Sequence, residues 1–261
     1  MDLELENNSV LVTASSSGLG LGSAEALSRE GANVAICGRD EERLEDARTH
    51  LESVGSGEVL ARRADITDPD DVTALVETTV ETFGGLDHLV TSAGGPPSTT
   101  FLETTEREWY SAYDTLVMSA VWTIENAHPH LLESDQGTIV CITSRTVREV
   151  LDGLLLSNSV RRAVIGLVKT VSREFAPEIR ANAVLPGLIE TARVEELIEA
   201  DVDRGEYDSY EEGLAARADD IPVGRIGEPT ELGDVVAFLS SARSRYVNGV
   251  GVPVDGGALR S

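Results

Sequence analysis

Ser157 and Arg161 stand four residues apart in "LSNSVRRAVIGLVKTV" (156–171), so a helix presents both on one face. A hydroxyl and a guanidinium placed this way can stabilise an oxygen on which negative charge develops. Neither carries protons well near neutrality, because serine ionises far above it and arginine stays protonated. The plainer alternative is that both cap and solvate the start of the helix. A second stretch, "TASSSGLGLG" (13–22), follows an apolar run and opens a helical one. Its glycines at 18, 20 and 22 permit close backbone approach, and a helix N-terminus adds unpaired N–H groups and positive potential. That is the chemistry of a pyrophosphate site, set against a glycine-rich turn without a ligand. An acidic residue about 20 positions further on would bind the ribose hydroxyls of NAD. Gly38-Arg39 stands there instead, so no carboxylate repels a 2′-phosphate and a guanidinium can pair with it. NADP(H) is therefore expected over NAD(H), unless Arg39 is only an exposed turn residue.

These residues need a scaffold, and the apolar runs supply one. Strand-like runs fall at 9–13, 33–37, 58–64, 86–91, 137–143, 179–185 and 250–254, with helical patterns at 19–30, 40–54, 69–83, 103–128 and 157–175. This alternation predicts an α/β fold, a single-domain Rossmann arrangement with a seven-stranded, mostly parallel sheet and helices on both faces. No linker or repeat divides residues 1–261. Residues 188–226 break the rhythm between the sixth and seventh strands and are expected to form a substrate lid. The other reading is a solvated acidic excursion.

Composition limits the function classes. The chain has 261 residues and 41% hydrophobic content, with 46 acidic against 21 basic residues and a net charge of −25. Lys169 is the only lysine. Repulsion of this size disfavours a compact chain at low ionic strength. It matters little where molar salt cuts the Debye length to about 3 Å. A halophilic protein is expected, an ordinary acidic enzyme being the alternative. No basic stripe exists to neutralise phosphates, which argues against nucleic acid. No run approaches the roughly 20 apolar residues of a membrane span, so no membrane partner is expected. "MDLELENN" lacks the basic and apolar regions of a signal peptide, which makes the cytoplasm the expected location. Cys37 and Cys141 lie in strand-like runs and are expected to be buried and unpaired. The histidines do not cluster with carboxylates at ligand spacing, so no metal site is expected.

Taken with these motifs, the chain resembles the short-chain dehydrogenase/reductase family over nearly its whole length, and within it the 3-oxoacyl-acyl-carrier-protein reductases. "TASSSGLG" resembles the family's TGxxxGxG with Ala14 at the first glycine. "ADIT" (64–67), "NAVLPGLIET" (182–191) and "YVNGVGVPVDGG" (246–257) match further family segments, while "TSAG" (91–94) stands where the family has NNAG. The resemblance implies a dinucleotide held by Thr13, Ser15, Ser17, Gly18, Leu19 and Gly20. It adds Arg39, Asp65 and Ile66 around the adenosine, and Ser92, Ala93 and Gly94 after the fourth strand. Pro186, Gly187, Ile189 and Thr191 would cradle the nicotinamide, with Ile189 and Thr191 meeting the carboxamide.

The family's catalytic Asn, Ser, Tyr and Lys are matched at one position only. Ser144 in "CITSR" takes the family serine. Thirteen residues on, Ser157 takes the tyrosine position, and Arg161 takes that of the lysine; Gly166 fixes this register. The asparagine, counted from Trp109, falls on Leu116. Losing a good general acid costs about 10²–10⁴ in rate, which slows catalysis without forbidding it. Three readings follow. Hydride transfer persists, with Ser144, Ser157 and Arg161 polarising a carbonyl and water giving the proton. Or the site serves other chemistry. Or the chain is a catalytically inactive dinucleotide-binding or regulatory protein. Under the first, the substrate is a small carbonyl or secondary alcohol: a 3-oxoacyl thioester, a keto acid or a sugar acid. Arg145, Arg148 and Arg193 could meet its acidic group, or pair with nearby carboxylates. The resemblance also implies a homotetramer built on the long helices near 103–128 and 153–176.

Overall fold

The strands are apolar on both faces, and this decides the architecture. In β1 (Ser9–Val12), Val10 and Val12 face one way and Leu11 the other, all fully buried. Such strands require cover on both sides. A computed structural model describes residues 2–260, with Arg193, Glu196, Leu197 and Ala200 placed by their backbone alone. β1 is joined by β2 (Asn33–Gly38), β3 (Val59–Arg63), β4 (His88–Thr91), β5 (Thr138–Ile142), β6 (Arg180–Pro186) and β7 (Gly251–Val254). They form one sheet in the order 3-2-1-4-5-6-7. Every pairing is parallel, which completes the mostly parallel sheet expected.

One face carries α3 (Pro69–Phe83), α4 (Glu106–Tyr113), α5 (Ser119–Leu131) and α6 (Leu155–Glu174). There Leu75, Ile124 and Val164 meet Leu11, Leu89 and Ile139. The other face carries α1 (Gly18–Arg29), α2 (Glu41–Val54) and α9 (Pro229–Ser240). There Leu27, Leu51 and Val236 meet Val10, Val34 and Val184. Strand order reverses between β1 and β4, so the crevice beyond their carboxyl ends is the natural ligand site. Cys37 and Cys141 are buried and free, and burial pushes their thiols up to about 12 and about 11. Among the described residues no helix is long and apolar enough to cross a membrane.

The helix expected over 103–128 is corrected in two ways. It starts at Glu106, where Thr105 and Glu108 form a capping box. It is then broken by a π-helical turn over Asp114–Met118. The Ser119 N–H reaches back to the Asp114 carbonyl, and the Ser119 hydroxyl satisfies the Thr115 carbonyl at 2.6 Å. The bulge therefore stands at the position where the family asparagine would lie. Its occupant, Leu116, is buried in the core and offers no polar group.

Residues 188–226 hold α7 (Ala192–Asp203) and α8 (Tyr210–Ala218). Their root is pinned where Glu190 N–H bonds the Gly227 carbonyl at 2.8 Å and Gly227 N–H bonds that of Leu188 at 3.1 Å. Arg217 bonds Asp201 at 2.6 Å between the two helices, and Ile198 is fully buried. The Tyr210 hydroxyl donates to Glu190 at 2.9 Å, tying α8 to the segment after β6. Burial and the surrounding carboxylates push the Tyr210 phenol up to about 12, so it stays a donor.

Candidate active site

The glycine turn sits where β1 meets α1. Gly18 has φ +57°, and a Cβ there would lie 3.5 Å from the Thr191 methyl, so the turn and the segment after β6 form opposite walls of one cleft. At Gly20 a Cβ would lie 2.4 Å from the Ala14 carbonyl oxygen, which no side chain tolerates. Gly22 has a different job: it lets α1 press against Pro229 of α9. The N-cap Ser17 makes no capping bond, and the first turn of α1 has no acidic residue. By contrast α2, α3 and α4 each have a capping side chain and acids in their first turn. In so acidic a chain, a helix start free of carboxylates, a feature α6 shares, that follows β1 at the glycine turn suits a pyrophosphate.

Thr13 and Ser15 are buried beneath the turn. Thr13 Oγ1 accepts from Ser92 N–H and donates to the Ser92 carbonyl, both at 2.8 Å. Ser15 Oγ donates to the Val12 carbonyl at 2.6 Å and accepts from Cys37 N–H at 3.1 Å. Both side chains shape the loop. Ser17 and Gly94 are exposed, while Leu19 and Ala93 are half-buried. Ala14 holds φ +46°, where the family pattern has glycine. The left-handed region costs an L-residue roughly 1–2 kcal/mol, against about 0.4–1 kcal/mol of chain entropy that glycine adds to the unfolded state. Ala14→Gly is therefore expected to raise the urea midpoint at fixed molar salt, reflecting a gain of about 0.5 kcal/mol in unfolding free energy. A lower midpoint would mean that the methyl's packing outweighs the strain.

The adenosine end is positively charged. A Cβ on Gly38 would lie 2.6 Å from Ser16 Oγ, so position 38 has no room for a side chain. Arg39 is exposed at the end of β2, and its carbonyl accepts from Arg63 Nε at 3.2 Å. Partial burial raises the Asp65 carboxyl, but two bonds from Thr67 and the Arg39 and Arg63 charges hold it below the usual range. Ile66 is buried beside it. Arg62 Nε is buried with no hydrogen-bond partner among the described residues. The Arg62–Arg63 pair drew no notice in the sequence, although "ARRAD" directly precedes the matched aspartate.

At the other end, Pro186 is buried, and Gly187 packs so close to β7 that a Cβ would lie 2.6 Å from that of Asp255. The Ile189 side chain is in the core, leaving only its backbone for a ligand, and Thr191 is half-buried over Gly18.

Ser144, Ser157 and Arg161 do come together, through two residues that sequence reasoning missed. Ser144 Oγ accepts from Thr146 N–H at 3.2 Å, and Thr146 Oγ1 meets Ser157 Oγ at 3.0 Å. Arg161 Nη1 donates to the Thr143 carbonyl at 3.1 Å, just beyond the end of β5. The capping residue is Ser144 itself, while Thr146 contributes its hydroxyl through a contact that spacing does not reveal. Ser157 is 7% exposed and caps nothing. Asn158 instead fastens the helix start, bonding both N–H and carbonyl of Leu151 at 3.1 and 2.8 Å. The capping reading of Ser157 and Arg161 thus gives way. Arg161 is half-buried, has no ion pair among the described residues, and is pushed down to about 10 by desolvation. That leaves it protonated at neutral pH. The Arg145 side chain is half-buried with no hydrogen bond or ion pair among the described residues. Arg148 bonds the Gly251 carbonyl at 2.9 Å and braces β7. The Arg193 side chain lies outside the described residues.

Comparison with known proteins now adds to this geometry. The family model described as Enoyl-(Acyl carrier protein) reductase matches residues 13–258. The chain is 31% identical over 251 residues to the 3-oxoacyl-[acyl-carrier-protein] reductase of Staphylococcus aureus, covering 95% of this chain and 97% of that one. The L-sorbose reductase from Gluconobacter frateurii, solved with NADPH and L-sorbose, superimposes with a TM-score of 0.95 at 30% identity over 100% of both chains. An NADPH-bound short chain oxidoreductase from Pseudomonas aeruginosa PAO1, described as containing an atypical catalytic center, superimposes at 0.89 with 32% identity over 98% of each chain.

Proposed function

The chain belongs to the short-chain dehydrogenase/reductase family and is an oxidoreductase; on that premise we propose that it is NADP(H)-dependent and interconverts a small-molecule carbonyl and its secondary alcohol, with Ser144, Ser157 and Arg161 in place of the usual catalytic set. The observation that carries this reading is Arg161: a half-buried guanidinium without a carboxylate among the described residues, one helical turn from Ser157 and bonded to the Thr143 carbonyl just beyond β5. Residues 13–20 and 186–191 would hold the reduced dinucleotide, which would supply a hydride to the carbonyl carbon. Ser144 and Ser157 donate hydrogen bonds to the carbonyl oxygen, and Arg161 stabilises the negative charge it gains. Water then gives the proton, since none of the three is an acid of suitable strength. The lid reading of residues 188–226 is supported by its pinned root and the Tyr210–Glu190 bond. A homotetramer is supported by Tyr110 and Tyr113, exposed on α4, and sedimentation in molar salt tests it.

The test is NADPH titration by fluorescence, followed by a panel of carbonyl compounds. Tight NADPH binding with oxidation by at least one carbonyl is expected. Binding with no oxidation by any would leave a dinucleotide-binding protein without turnover.

Cofactor preference is expected to rest on Arg39. An arginine–phosphate contact is worth roughly 1.5–3 kcal/mol, and exposure and screening place this one at the lower end. Arg39→Ala should weaken NADPH about tenfold and leave NADH nearly unchanged. Equal loss for both would remove the assignment.

A further inference from the structure

Three of the six half-buried guanidinium groups among the described residues are neutralised or saturated. Arg217 is held by Asp201, and Arg48 by Glu45 and Glu52. Arg180 has no carboxylate, but it donates to four carbonyls, those of Leu239, Ser241, Ser244 and Val247. Arg62, Arg145 and Arg161 are neither neutralised nor saturated, and of these Arg161 is the one on the same helix face as Ser157. Among the described residues Arg161 makes one hydrogen bond, to Thr143, and no ion pair, in a chain with 46 acidic residues. The side chain of Arg145, adjacent to Ser144, makes neither. A desolvated charge with four of its five donors unspent is costly unless a ligand completes it. The described residues offer no such anion bonded to it, and Ser157 stays neutral where the family's phenol could ionise.

We propose that the substrate is a 2-oxo carboxylate, or in the reverse direction a 2-hydroxy carboxylate, whose carboxylate pairs with Arg161 while its reacting oxygen meets Ser144 and Ser157. This rests on the reductase reading above. The carboxylate is placed next to the carbonyl because Arg161 and Ser157 are one turn apart, about 5–6 Å between Cβ atoms. Arg161 also bonds the residue that immediately precedes Ser144. An anion paired there lies beside the reacting carbon. A sugar acid with a distant carboxylate, or a thioester with none, would leave the guanidinium unpaired. The planar fork matches a carboxylate with two parallel bonds, which a lysine at this position would not.

The experiment uses the full chain in molar salt. NADPH oxidation is followed with 2-oxo acids of increasing length, each against its methyl ester. Oxamate, an unreactive mimic, is titrated calorimetrically into the NADP⁺-loaded protein. The expected result is kcat/KM about 10²-fold higher for acid than for ester, with measurable oxamate binding. In Arg161→Gln the acid should lose its advantage in kcat/KM, with kcat falling as well as KM rising, and oxamate heat should vanish while NADPH still binds. Should that variant not fold, Arg161→Lys serves, with oxamate binding weakened but not lost. Esters or neutral ketones reduced as well as the acids would overturn the inference and leave the reductase reading standing. If NADPH binds and no carbonyl is reduced, the reductase reading fails, and oxamate alone decides. Binding lost in Arg161→Gln would support the carboxylate site, and no binding to the parent chain would overturn it.

Discussion

Arg161→Ala is expected to cut single-turnover NADPH oxidation by roughly 10²-fold or more, on the scale of removing one preorganised donor from a developing oxyanion. Desolvation strengthens the interaction that Arg161 makes with such a charge, and no carboxylate among the described residues competes for it. Ser157 contributes less. Its hydroxyl is shared with Thr146, and one neutral hydrogen bond is worth about 0.5–1.5 kcal/mol. Ser157→Ala should therefore cost about tenfold or less. Reinstating tyrosine is a different matter. Ser157 is packed beside Leu156 and Val160 in the buried face of α6, and a phenol there needs volume that a closed core gives up only with strain. Stopped-flow comparison of both alanine variants with the parent, cofactor binding being checked in each, settles the order. Full turnover in Arg161→Ala with the dinucleotide still bound would place the chemistry elsewhere.

A steep rise of melting temperature between about 0.1 M and molar potassium chloride is the second large effect expected. With a net charge of −25, local ion pairs cannot balance the surface. Pairs such as Arg225 with Glu231 and Arg48 with Glu45 neutralise their own neighbourhoods, yet every arginine so used leaves more than one carboxylate without a partner. Self-repulsion then acts against the compact state until salt shortens its range from about 10 Å to about 3 Å. Relief of about 3–4 kcal/mol would raise the midpoint by on the order of 10 °C in a chain of this length. Calorimetry across a potassium chloride series, with sedimentation alongside, measures both stability and assembly. A flat profile, with association intact at low salt, would remove the halophilic reading.

The scaffold was legible because its signals are local. Buried parallel strands need continuous apolar runs, and all seven appear within two or three residues of where the runs place them. The glycine turn was legible because the approach to Ala14 at Gly20 can be met only without a Cβ, and the positive φ at Gly18 favours glycine. The π-helical break was not, since it depends on which carbonyl the Ser119 amide reaches, and Leu116 looks like any core leucine. At the site, sequence by itself determined the residue types and the one-turn spacing of Ser157 and Arg161, which helical periodicity dictates. It left open whether they cap the helix or face a cleft. The tertiary structure removed the capping alternative, by setting Thr146 from a separate segment against Ser157 and the Thr143 carbonyl against Arg161. It also decided which arginines are spent. Arg148 braces β7 and Arg180 fills a nest of carbonyls, while Arg161 keeps its charge unpaired among the described residues. Pairing joins residues distant in the chain, and the type of a residue carries no record of its partner.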